Sequence, residues 1–151
     1  MKMTRVLSRE RLLEILKCYE HLPEPEDAEV TILKGHLLIE GRIIEYIRRK
    51  LPNPDRFKSD KFRFSQLLMI ARSLCPSNKY ANLWQSIDNL NNLRNKLAHN
   101  LEVNEYETAL NRFLDFHFTR FFKGQGEEYR ALHECVVSLY SSMVHLIAED
   151  T

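Results

Sequence analysis

Residues Thr31 to Leu51 read TILKGHLLIEGRIIEYIRRKL. Ile32, Leu33, Leu37, Ile39, Ile43, Ile44 and Ile47 recur there at helical spacing, and the run stops at Leu51-Pro52-Asn53-Pro54, because a residue before proline is pushed out of helical geometry. The pattern predicts one helix from about Asp27 to Leu51. A helix this apolar must bury a face, so the flanking sequence has to supply further helices.

It does so on both sides. Ser8 suits the N-cap of a helix running to about His21, with Leu12, Leu13, Ile15 and Leu16 on its apolar side and Pro23 and Pro25 to stop it. A shorter helix covers about Phe64 to Leu74. After the break at Cys75-Pro76-Ser77-Asn78, Leu83, Ile87, Leu90, Leu97 and Leu101 form a heptad-like stripe with one tooth missing, at Arg94. Asn100 suits the left-handed residue closing that helix, and Asn104 the N-cap of the next, which runs through EYETALNRFLDFHFTRFF to the break at Lys123-Gly124-Gln125-Gly126. A last helix spans about Glu127 to Ala148. Four glycines and five prolines in 151 residues leave too little turn chemistry for many short strands. The expected fold is therefore all-α: a single domain over residues 1–151, built as an antiparallel helical bundle of about four core helices plus additional terminal helices.

No apolar run reaches the roughly 18 to 20 residues of a membrane span, and charges interrupt the first twenty residues, so no membrane partner is expected. Cys18, Cys75 and Cys135 are far apart and odd in number, with no metal-ligand spacing, which points away from a disulfide framework or a zinc site and towards a reducing cytoplasm. No cofactor or metal is implied. The net charge of +1 lacks the basic excess usual in nucleic-acid-binding domains, but its distribution is uneven. Arg48 to Arg63 carries seven basic and two acidic residues, whereas Glu20 to Glu29 has five acidic residues and no Lys or Arg. Each run reads either as a solvated loop or, for the basic one, as a phosphate-facing segment.

Projection at about 100° per residue puts Arg94 inside the apolar sector of its helix, with Asp88, Asn92, Asn95 and His99 clustered on the other side. On the long helix it puts His36 and Glu40 within the arc of Ile32, Leu37, Ile43, Ile44 and Ile47. A carboxylate directed at a core needs an opposite charge, and Arg94 is the other charged residue turned inward, so a Glu40–Arg94 ion pair is expected. His36 reads as a hydrogen-bonded core histidine, Trp84 and the phenylalanines of residues 113–122 as core or dimer surface, and the three thiols as unreactive.

The stretch RNKLAH, Arg94 to His99, resembles the R-x4-6-H motif of the HEPN superfamily, with Asn95 as the polar residue that commonly follows the arginine. The apolar stretch GHLLIEGRIIEYI resembles the helix that packs against that motif, and the similarity covers roughly Thr31 to Phe118. The resemblance implies a helical-bundle ribonuclease that acts as a homodimer and needs no metal. Its cleft forms where two copies of the motif meet, with Arg94, Asn95 and His99 catalytic. A weaker similarity to mannitol-repressor-like regulators implies a non-catalytic binding module instead. RNA is the expected substrate partner, and a cognate antitoxin or regulatory protein a further one. Lys96 and the basic residues Arg56, Lys58, Lys61 and Arg63 are the candidates for holding the substrate.

The chemistry suits the residue types. Cleaving RNA through its own 2′-hydroxyl needs a group that moves a proton near neutral pH, as histidine does, and a cation that steadies charge on the phosphate, as arginine does. Spacing alone discriminates poorly, because Arg112 and His117 are separated by the same four residues. Phe113 follows that arginine, however, and the pair lies mid-helix among aromatic side chains.

Overall fold

The structure, a computed structural model, describes residues 8–22, 27–99 and 103–151, with the backbone alone at position 129. Six helices account for most of them, and no strand occurs among the described residues: α1 (Arg9–His21), α2 (Ala28–Lys50), α3 (Phe64–Leu74), α4 (Ala81–His99), α5 (Val103–Phe121) and α6 (Leu132–Asp150). Among the described residues no helix is long and apolar enough to cross a membrane. The Ser8 cap follows the sequence pattern, and Asp27 caps the next helix in the same way. Ser8 Oγ accepts the amide of Arg11, and Asp27 Oδ1 accepts that of Val30, each satisfying a backbone donor that the first helical turn leaves open.

Two boundaries differ from expectation. α5 begins at Val103, so Asn104 lies inside its first turn and not at the cap; its carbonyl accepts the Thr108 hydroxyl at 2.8 Å. Asn100 and Leu101, expected to close α4, lie outside the described residues. The last helix is shorter than the sequence suggests: Glu127–Arg130 forms a separate 3-10 turn, Ala131 is extended (φ −57°, ψ 139°), and α6 starts at Leu132.

The core is one cluster drawn from all six helices, with α6 contributing most, followed equally by α2 and α4. α2 divides sharply by face. Ile32, Ile39, Ile43, Tyr46 and Ile47 are fully buried, while Leu33 and Leu37 are 41% and 65% exposed. Paired contacts fix the helix directions. Tyr46 packs on Trp84 with ring centroids 5.9 Å apart, and ten residues earlier His36 meets Asn91, so α2 and α4 run antiparallel. Against α6 the order is reversed: Gly35 lies beside Val136, and Lys50 Nζ reaches Asp150 Oδ2 at 3.0 Å, so α2 and α6 run parallel. The bundle is thus antiparallel in part only. The connection 122–131 makes this geometry accessible, because an Arg130–Asp115 ion pair carries the chain back along α5 before α6 begins.

Candidate functional site

The motif residues sit on the last turn and a half of α4. His99 and Asn95 are exposed and Arg94 is half-buried. The Arg94 guanidinium donates to Asn95 Oδ1 at 3.5 Å. Lys96, one residue on, pairs with Glu105 across the α4–α5 junction at 3.4 Å, an exposed contact of the kind that contributes under about 1 kcal/mol and leaves the lysine free to exchange partners.

The expected Glu40–Arg94 ion pair is not formed; neither residue takes part in an ion pair among the described residues. The reason is axial level. His36 and Asn91 are opposite one another on antiparallel helices, so Arg94 lies about 4.5 Å beyond that contact in one direction and Glu40 about 6 Å beyond it in the other. Both side chains are half-buried, so water screens each charge and no buried partner is required.

What α2 and α4 do share is a neutral polar contact. His36, buried, donates Nε2–H to Asn91 Oδ1 at 3.0 Å, and the Phe64 ring lies 4.0 Å from the imidazole centroid. Burial, with the Arg94 charge nearby as a smaller cause, holds the imidazole below its ordinary range against the opposing effect of the Asn91 bond. The reading of His36 as a hydrogen-bonded core histidine agrees with this; Asn91 is the residue that sequence reasoning missed. Its signal was present, since Asn91 projects about 40° from Ile87, a polar residue inside the apolar sector.

Of the second arginine–histidine pair at the same spacing, Arg112 is exposed and only His117 belongs to the core. His117 is fully buried, contacts Ser86 Oγ through Nδ1 at 2.7 Å and Ser138 Oγ through Nε2 at 3.0 Å, and stacks on Phe121 at 4.3 Å. Burial pushes its pKa down to about 4, so it is neutral at neutral pH and joins α4, α5 and α6 as a hydrogen-bonded staple. Burial likewise pushes the Cys18 and Cys135 thiols up to about 12, out of the reactive range.

The basic segment folds into two 3-10 turns, Pro54–Arg56 and Ser59–Lys61, pinned by stacked Phe57 and Phe62 rings 5.3 Å apart and by Arg48, which donates to the Pro54 carbonyl at 3.4 Å. Arg56, Lys58, Lys61 and Arg63 are all exposed, and none is in an ion pair among the described residues. The segment ends at Phe64, whose contact with His36 sets it beside the α2–α4 seam one turn from Arg94. Among the described residues no group of His, Cys, Asp or Glu is arranged to hold a metal ion. No protein-family model, curated protein or solved structure matches this chain.

Proposed function

We propose that the chain is a HEPN-like, metal-independent endoribonuclease of the toxin or phage-defence kind, working in the cytoplasm as a homodimer. The observation that supports this most directly is the accessible end of α4, where Arg94 and Asn95 touch and His99 is exposed, in contrast to the second pair, whose His117 is fully buried while Arg112 is exposed. In this reading His99 accepts the 2′-hydroxyl proton, the 2′-oxygen attacks phosphorus while Arg94 stabilises the charge on the pentacoordinate phosphate, and the bond to the 5′-oxygen breaks to leave a 2′,3′-cyclic phosphate and a 5′-hydroxyl whose proton comes from water, with the imidazolium returning its own proton to solvent. His99 lies about 140° around the helix from Arg94, so one phosphate is served best by the long guanidinium of one subunit and the imidazole of the other. The basic segment supplies docking.

Two measurements test it. Purified protein is expected to cleave single-stranded RNA in the presence of a chelator, and His99→Ala to lose that turnover while keeping its folded circular dichroism. Cleavage that survives in His99→Ala places the chemistry elsewhere. Replacing Arg56, Lys58, Lys61 and Arg63 together by glutamine is expected to weaken RNA binding and to flatten its log–log salt dependence by about 0.7 per lost phosphate contact, whereas His99→Ala leaves that slope unchanged. An unaltered slope in the four-residue variant reduces the segment to a solvated loop.

A binding-only module, similar to the mannitol-repressor-like regulators, draws support from a different observation. Leu13 and Leu16 on α1 are about half exposed and, with Val144 and Ile147 of α6, form the apolar part of a groove otherwise rimmed by charged side chains such as Arg42 and Glu45, a surface suited to a regulatory protein. Absence of chelator-resistant cleavage from clean preparations selects this alternative.

A further inference from the structure

The two turns of the basic segment share one plan. Pro54-Asp55-Arg56-Phe57 and Ser59-Asp60-Lys61-Phe62 both run aspartate, cation, phenylalanine, and each turn is closed by its phenylalanine: the Phe57 amide donates to the Pro54 carbonyl at 3.0 Å and the Phe62 amide to the Ser59 carbonyl at 3.1 Å. A further cation and phenylalanine, Arg63 and Phe64, follow directly. The three rings have different surroundings. Phe64 is buried against His36, and Phe57 is half-buried, packs on the core and has the Arg48 guanidinium 5.8 Å from its centroid. Phe62 lies on Phe57 instead, with ring planes 19° apart, and is 38% exposed. One face of the Phe62 ring is thus covered by a ring that the core holds in place, so its accessible surface is on the side away from the bundle.

We propose that Phe62 is a stacking platform for the bases of single-stranded nucleic acid, with Arg56, Lys58, Lys61 and Arg63 on the phosphates beside the stacked base. The proposal rests on the docking role given above to the basic segment, and needs nothing from the chemistry at α4. The four cations are exposed and in no ion pair among the described residues, although Asp55 and Asp60 belong to the same segment, so their charge is available to a ligand. A flat ring already fixed in place loses little freedom when a base settles on it. Every base has a π-face, so such a platform is indifferent to sequence, and because it does not touch the sugar it treats RNA and DNA alike. Bases in a duplex are covered by their neighbours, so a duplex offers this surface phosphates and no free ring. An anionic membrane would also attract the cations, but Phe62 is the one exposed large apolar side chain among residues 51–63, too little apolar area to hold a lipid surface.

Fluorescence anisotropy in the presence of a chelator tests this with short oligo(dT) and 2′-O-methyl oligo(U). Neither has a free 2′-hydroxyl, so binding is read apart from cleavage. Both are expected to bind with similar affinity, and more tightly than a duplex of the same length. Phe62→Leu is expected to weaken both single strands on the order of tenfold, to leave the duplex unaffected, and to keep the log–log salt slope, because a lost stack releases no counterions. Phe62→Trp is expected to keep the affinity and to have its indole emission quenched by oligo(dT); the native Trp84 is buried and gives no such signal. Unchanged thermal unfolding of Phe62→Leu separates loss of the stack from loss of fold, and if that variant is unstable the quenching of Phe62→Trp decides. Equal single-strand affinity in wild type and Phe62→Leu overturns the proposal, as does preference for the duplex, an unquenched Phe62→Trp, or binding to phosphatidylserine vesicles or polyglutamate without binding to either oligonucleotide. Stacking at Phe62 in a protein that never cleaves RNA would leave this site standing and remove only the ribonuclease reading; cleavage with an affinity indifferent to Phe62 would do the reverse.

Discussion

Replacing His117 by alanine is expected to lower the free energy of unfolding by about 3 to 5 kcal/mol, the range for deleting a buried aromatic-sized side chain. The substitution removes the stack on Phe121 and leaves the hydroxyls of Ser86 and Ser138 without their shared partner. His117→Phe keeps most of the volume and is expected to cost less, about 1 to 3 kcal/mol, the cost of the orphaned hydroxyls. The same residue gives the protein an acid limb. With a folded pKa of about 4 against an unfolded value near 6.5, the unfolded chain binds the proton and the folded one does not. Stability therefore falls as pH drops from about 6.5 to 4, by roughly 3 kcal/mol from this group, and is unaffected by it above that window. His36 acts in the same direction. Urea unfolding of wild type and His117→Phe across this range checks the assignment: the variant should lose that share of the acid dependence, and an identical pH slope in both would exclude His117 as its source.

Gly35→Leu is expected to cost about 3 kcal/mol, through overpacking and against helix propensity. An added Cβ at position 35 would stand 2.6 Å from Val136 Cγ1, and valine, stiff at its branched carbon, has little room to yield. Gly35→Ala tests the cause more finely. In an open helix that change would stabilise by about 1 kcal/mol. Here it should destabilise, and in a Val136→Ala background it should turn stabilising, a reversal visible in a double-mutant cycle of denaturation midpoints. Additive effects would mean that α2 and α6 do not meet at this point.

The two helices that matter most for the site were legible for different reasons. α2 announced itself through isoleucine spacing and a proline stop, both local features, and the observed span of Ala28–Lys50 lies within a residue of the expected one. α4 was legible because Ser77 and Pro76 precede it and leucines recur along it, although its end beyond His99 lies outside the described residues. The Glu40–Arg94 expectation failed because helical projection gives the angle of a side chain around its axis and nothing about its level along that axis. Two inward-turned charges on antiparallel helices met the requirement of angle and missed by about two turns in level. The parallel course of α2 and α6 was hidden for a related reason: the ion pair that returns the chain, Arg130 to Asp115, joins residues on either side of a loop whose composition is silent about direction. The polar lining of the core, His36 with Asn91 and His117 with two serines, depends on which residues of separate helices come to the same height, which a one-dimensional pattern does not encode.

The parallel pairing of α2 with α6 also bears on how fast the chain reaches its native state. Small helical bundles ordinarily fold quickly because their contacts join neighbours in sequence. In this chain the most extensive helix contact joins segments about a hundred residues apart, as the Lys50–Asp150 bridge marks, so a large loop must close before the inner face of α2 is covered. The α4–α5 hairpin, by contrast, joins near neighbours and can form early. Docking of α6 onto α2 is then the late, slow event, and until it happens the isoleucine face of α2 stands open to self-association, a hazard set by protein concentration during refolding.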